Sequence, residues 1–177
     1  LPSTRKLSMV RMFNRMSTLR VDNLRGQTAD GNYRYIVQIR QNVLSTQLAN
    51  SSSTQSDVIT HTITPTYSTS AILITCTGMG APDQNNAIYF RLLRDSTEVG
   101  SGTGATTNNV IQAMGTTQSD FEMTPFSIQF LDTPSTTSQI TYKLQSAAVN
   151  GTAKIGGRAD NNDNAVPTYI TLMEIAQ

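Results

Sequence analysis

Phe126-Ser-Ile-Gln-Phe130 and Ile140-Thr-Tyr-Lys-Leu-Gln-Ser146 decide how this chain reads. In the first run Phe126, Ile128 and Phe130 alternate with Ser127 and Gln129. In the second, Ile140, Tyr142 and Leu144 alternate with Thr141, Lys143 and Gln145. Successive side chains of a strand point to opposite faces, so each run sets an apolar face on a core and a polar face toward water. Between them, Pro134 fixes its own φ and has no N–H for a ladder, while Asp132 and the hydroxyls through Ser138 can bond nearby backbone. The stretch Phe126 to Ser146 therefore reads as one β-hairpin around a loop.

Toward the C-terminus, Asn150-Gly151 favours a tight type I′ turn, which would pair Leu144–Val149 with Thr152–Ile155. Residues 156–167 read as loop. The last strand, Tyr169 to Ile175, is apolar on both faces except for Thr171 and Glu174. Such a strand lies inside the fold or against a partner subunit, because an outer edge of this kind invites uncontrolled pairing. Tyr169, Leu172, Met173 and Ile175 are accordingly the expected oligomer interface. Glu174 then requires hydrogen-bond partners or a place at the interface rim.

Working back toward the N-terminus, strands are expected at Val58–Thr64, Ala71–Thr77, Ile88–Leu93, Val110–Met114 and, briefly, Phe121–Met123. Arg94 to Thr97 makes a tight turn into Glu98-Val99, and residues 100–109 form a Gly/Thr-rich loop. Eight to ten short strands with no helical pattern in the body predict an all-β fold, a β-sandwich of jelly-roll type.

Tyr33 to Arg40 alternates like a further strand, and the polar stretch 45–56 reads as a linker or strand edge. The expected division is a basic N-terminal arm with linker, residues 1–55, and a β-sandwich, residues 56–177. Charge supports a separate role for the arm. Residues 1–40 carry eight basic and two acidic groups, net +6, against five basic and ten acidic groups, net −5, in residues 41–177. Met9, Met12, Phe13 and Met16 recur at helical spacing and Ser8 can cap them, so the arm is expected to be extended or partly helical. A docking helix fits this short, modestly amphipathic segment better than a membrane-surface helix. Nucleic-acid binding would call for interleaved aromatics that the arm lacks. The acid-free, Arg-rich start resembles a mitochondrial transit peptide in composition, but strand-like sequence resumes without a clear processing site.

Catalytic and metal-binding patterns are weak. His61 is the only histidine and alternates with Ile59 and Ile63 as a strand residue would. Cys76 is the only cysteine, so no intrachain disulfide can form; it alternates with Ile72 and Ile74 as a small buried hydrophobe would. One Cys and one His do not make a zinc site, and no Gly-x-Ser-x-Gly turn presents a nucleophile. Glu98, Glu122 and Glu174 show no spacing that sets two acids across a cleft. Asp160-Asn161-Asn162-Asp163-Asn164 is oxygen-rich but lacks the glycine and distal glutamate of an EF-hand loop, and reads as an Asx-rich turn. Gly100-Ser-Gly-Thr-Gly104 is not followed by a helical pattern, so a phosphate cradle lacks its context. No cofactor is expected.

Five stretches occur in order: Ile63-Thr-Pro-Thr-Tyr-Ser-Thr-Ser-Ala-Ile-Leu-Ile74, Phe90-Arg-Leu-Leu-Arg94, Phe130-Leu-Asp-Thr-Pro-Ser-Thr-Thr-Ser138, Thr141-Tyr-Lys143 and Ile170-Thr-Leu-Met-Glu-Ile175. Together they resemble the C-terminal module of tail-fibre and virion proteins of marine phages, cyanophages especially. Met16-Ser-Thr-Leu-Arg-Val-Asp-Asn-Leu24 is similar to the opening segment of such fibres. The resemblance implies a non-enzymatic virion component, commonly oligomeric and often a homotrimer, with other virion proteins as partners and no fixed binding motif to transfer. On that reading Arg5, Lys6, Met9, Arg11, Met12, Phe13, Arg15 and Met16 dock the arm on the particle, and the β body meets a host-surface glycan or protein. The alternative is a capsid decoration or capsid-surface fibre protein that stabilises the shell.

Overall fold

The computed structural model describes residues 34–83, 86–103, 110–115, 119, 121–160 and 165–177. The arm residues from Arg5 to Met16 lie outside these. Among the described residues there is no helix, and eleven strands build two antiparallel sheets.

The first sheet contains β1 (Ile36–Leu44), β2 (Leu48–Asn50), β4 (Ala71–Pro82), β8 (Thr124–Asp132), β10 (Ala153–Ile155) and β11 (Thr168–Ile175). The second contains β3 (Ser56–Ile63), β5 (Ile88–Arg94), β6 (Thr97–Val99), β7 (Gln112–Met114) and β9 (Ile140–Ala148). The long strands lie in the order β1-β11-β4-β8 in one sheet and β3-β9-β5 in the other, with β6 and β7 sharing the last row beside β5. This is jelly-roll order, as the strand pattern predicts. The two inner faces pack Ile72, Ile74 and Cys76 of β4, Phe126 and Ile128 of β8, and Ile170 and Leu172 of β11 in one core with Phe90 and Leu92 of β5 and Tyr142 and Leu144 of β9. The rings of Phe90 and Phe126 meet across it with centroids 4.7 Å apart. Each such side chain contributes about 1.5–3 kcal/mol by leaving water.

The hairpin expected at Phe126–Ser146 is not one. β8 pairs with β4, whereas β9 pairs with β3 and β5 in the opposite sheet. The seven residues 133–139 arch over the end of the sandwich instead of turning within a sheet. Asp132 shows why. It ends β8 facing inward, where both carboxylate oxygens accept from Arg94 Nη1 at 3.0 Å and Oδ2 accepts from the Tyr142 hydroxyl at 2.7 Å. These bonds join facing layers, not neighbouring strands. Asn150-Gly151 is likewise an arch: Gly151 takes φ +66°, but β10 pairs with β4 and β2, away from β9. The turn is held by Asp83 and Asn86, whose side chains accept from the Thr152 and Asn150 amides at 2.7 Å. The Arg94–Thr97 turn is the hairpin the sequence predicts, with Arg94 opposite Thr97 and Asp95 at φ 54°. Phe121 to Met123 form no strand.

The boundary expected near residue 55 also moves. β1 pairs with β11 from Ile36 to Leu44, and β2 pairs with β10, so residues 36–50 belong to the sandwich, and its compact unit spans Asn32–Gln177. The polar residues 45–56 mark a break between β1 and β2 and a surface loop before β3.

Two rows of the sandwich are split by excursions. β6 and β7 flank residues 100–111, and β10 and β11 flank residues 156–167. The first is closed where the Gly102 amide donates to the Val110 carbonyl at 3.2 Å, the second where Val166 donates to Gly156 at 2.8 Å. Gly156 sits at φ +72°, and a Cβ there would lie 2.7 Å from the Val166 carbonyl oxygen, so both conformation and space demand glycine.

Candidate functional site

The two sheets present very different outer faces. Across β1, β11, β4 and β8 no outward position is charged. Pairing registers put Ile39 opposite Met173, Met173 opposite Leu73, and Leu73 opposite Leu131, so four apolar side chains cross the sheet in one row. Ile39 and Leu131 are 56% and 51% exposed, and Leu73 and Met173 are half-buried. Ile36 and Ile175 pair beside this row. A polar row follows, Gln41, Thr171, Thr75 and Gln129, with Gln41 Nε2 donating to the Thr171 hydroxyl at 3.0 Å. Val43 and Tyr169 pair next.

Of the residues expected at an oligomer interface, Tyr169, Met173 and Ile175 lie on this face. Leu172 does not: it is fully buried on the core side. β11 is moreover an interior strand between β1 and β4, so its apolar content covers no edge. Ile39, Leu73 and Leu131 complete the face. Leu73 falls within the strand expected at Ala71–Thr77, but the row itself exists only through the register of strands distant in sequence.

Glu174 finds the partners its burial requires. Oε1 accepts from the Thr66 amide at 2.7 Å, the Tyr67 amide at 3.3 Å and the Ser70 hydroxyl at 2.8 Å. Oε2 accepts from Gln38 Nε2 at 2.7 Å and the Thr66 hydroxyl at 3.1 Å. Burial alone would push this carboxyl up, but the bonds from Gln38, Ser70, Thr66 and Tyr67 outweigh it and hold it below its ordinary value of 4.5. Glu174 thereby pins the connection between β3 and β4 to the ends of β11 and β1. At this end the Ala176 amide also donates to the Tyr35 carbonyl at 3.0 Å, so both ends of the sandwich unit meet there.

The outer face of the second sheet is charged and ion-paired. Arg91 Nε lies 3.6 Å from Glu98, and Lys143 Nζ lies 3.9 Å from Asp57. On this face a cleft of about 470 Å³ runs between β5 and the loop before β3, lined by Ser53, Thr54, Gln55, Tyr89, Arg91, Val110 and Ala147–Val149. Tyr89 stands outward between Ala147 of β9 and Ala113 of β7, its direct cross-strand neighbours. Both cross-strand neighbours are thus small, and Tyr89 itself is half-buried. Sequence alternation marks Tyr89 and Arg91 as outward, but the small flanking residues emerge only from register.

The remaining candidates fall into place. Cys76 lies in the core, where burial pushes its thiol up to about 12, so it packs as a small protonated hydrophobe. His61 lines an open groove between β1 and β3 with Arg40 and Gln139. In the second excursion Asp160 pairs with Arg158 at 2.6 Å, and the Arg158 guanidinium lies 4.6 Å from the ring centre of Phe121, which is 68% exposed. Asn161 to Asn164 lie outside the described residues, and among the described residues no group of three or more His, Cys, Asp or Glu is placed to hold a metal ion. No helix among them is long and apolar enough to cross a membrane. Neither a protein-family model nor a curated protein matches this chain.

Proposed function

We propose that this chain is a non-enzymatic structural protein of a bacteriophage virion, a fibre-type β knob. It self-associates through the charge-free outer face of the four long strands of its first sheet, most simply as a homotrimer, and is attached to the particle through its basic N-terminal arm. One observation carries the reading: the row Ile39, Met173, Leu73 and Leu131, more than half exposed at both ends and flanked by no charge. An exposed apolar patch of this kind marks an interaction site, and closed symmetric assembly is the usual way to cover one. The resemblance to marine-phage fibre modules and the jelly-roll fold support the virion assignment.

Two measurements test it. Light scattering of the full chain should give a multiple of its 19.2 kDa mass, and a strictly monomeric species at micromolar concentration would remove the assembly role. Antibody labelling of intact particles should decorate the tail. Labelling spread over the shell would replace the fibre reading with the decoration reading, and no labelling would end both.

A further inference from the structure

We propose that the cleft on the second sheet is a binding site for a neutral saccharide, with Tyr89 as its stacking platform. This deepens the reading of the β body as a recognition module and rests on it. A pyranose presents a C–H face that packs on an aromatic ring and an edge of hydroxyls that each donate and accept hydrogen bonds. The cleft offers both halves of that surface. Tyr89, half-buried, projects between Ala113 and Ala147, so both of its direct cross-strand neighbours are small. Beside it stand donors and acceptors suited to hydroxyls: the Arg91 guanidinium, steadied by Glu98 at 3.6 Å, the Gln55 amide, and the hydroxyls of Ser53 and Thr54.

Gln55 supplies a second, independent indication. Its Oε1 is buried without a hydrogen-bond partner among the described residues, while Nε2 reaches the Tyr89 carbonyl only at 3.5 Å. A buried acceptor left unsatisfied is costly, and a ligand hydroxyl donating to it removes that cost. The volume, about 470 Å³, lies within the range of small-ligand pockets and suits one or two sugar rings. Neutrality follows from the charges. Arg91 is already matched by Glu98, so a carboxylated or sulfated sugar gains no free cation here, and a cationic one meets the guanidinium.

Saturation-transfer NMR on the full chain provides the test, with methyl glycosides of glucose, galactose, mannose and N-acetylglucosamine as probes, and glucuronic acid as the charged comparison. At about 10 mM sugar, a site with a Kd near 1 mM should give clear transfer to at least one neutral probe, strongest at ring C–H protons. Tyr89→Ala and, separately, Gln55→Ala should each weaken that binding by about tenfold or more, the loss of roughly one good contact. Tyr89→Phe, which keeps the ring, should bind within about threefold of the parent. Because Gln55 lies in a loop outside the sheets, its variant reports on the cleft even if Tyr89→Ala fails to fold. Transfer to none of the neutral probes overturns the proposal, as does binding that both alanine variants leave unchanged or glucuronic acid bound best. Particle labelling is independent of all of these, so a sugar-blind chain that still decorates tails refutes the site and leaves the virion role intact.

Discussion

The two outer faces of this sandwich have the same kind of backbone beneath them and opposite surfaces above. The second sheet carries Arg91, Glu98, Lys143 and Asp57, paired across strands and open to water. The first carries no charge on the outward positions of its four long strands, and in its polar row of Gln and Thr the Gln41 amide donates to the Thr171 hydroxyl. A solvated face needs charge to stay solvated, and a face built for contact cannot tolerate unpaired charge once covered. The contrast is between a charged, wet side and a charge-free side that the proposed self-association would keep dry.

The sharpest way to break this contrast is to put charge on the dry side. Met173→Asp lies mid-row between Ile39 and Leu73 and should collapse the assembly to a 19.2 kDa monomer by light scattering, because association would bury an unpaired carboxylate. An unchanged mass with the variant folded would mean that this face is bare in solution.

A smaller effect is expected where the first sheet does hide a charge. Glu174→Gln keeps one acceptor oxygen but loses the charge that strengthens five hydrogen bonds, and should lower stability by about 1–3 kcal/mol near neutral pH. The sign with pH follows from the depressed carboxyl. Its contribution is present above the unfolded value near 4.5 and is lost as pH falls through the lower folded value. Urea midpoints should therefore fall more steeply below pH 4.5 in the parent than in the variant. Parallel pH curves would show that Glu174 carries no such linkage.

The smallest effect belongs to the wet side. Lys143→Ala removes an exposed pair at 3.9 Å and should shift stability by less than about 0.5 kcal/mol, with no change in mass. A change in oligomer size there would reverse the assignment of the two faces.

How much of this was legible in the sequence depends on what alternation encodes. Period-two patterns told which side of each strand is buried, and Phe126, Ile128, Ile140, Tyr142 and Leu144 all face the core as read. They said nothing of which strand lies alongside. A hairpin and an arch show the same alternation, and differ only in whether the connection stays within a sheet or crosses between layers. Alternation alone therefore joins β8 to β9 and turns Asn150-Gly151 within one sheet, where the chain crosses between layers instead. The inward parity of Asp132 was the available clue, since a carboxylate facing a core needs partners, and Arg94 and Tyr142 supply them. The dry row and the platform at Tyr89 share a deeper limit. Each is assembled from three or more strands remote in sequence, so register had to be known first. The need for partners at Glu174, by contrast, could be stated from one residue, because the desolvation of a charge is a local cost.

The two excursions carry a consequence for how such a body can change. In each, the chain leaves a row of the sheet and returns to the same row: β7 resumes beside β5 where β6 left off, and β11 beside β4 where β10 left off. One backbone bond closes the base of each. Lengthening such a loop adds only slowly growing closure entropy, about 0.6 kcal/mol per doubling, and leaves every pairing in place. Length can thus be added beyond each closing bond while the strand pairing stays constant, which lets a lineage explore new surfaces at little risk to its fold.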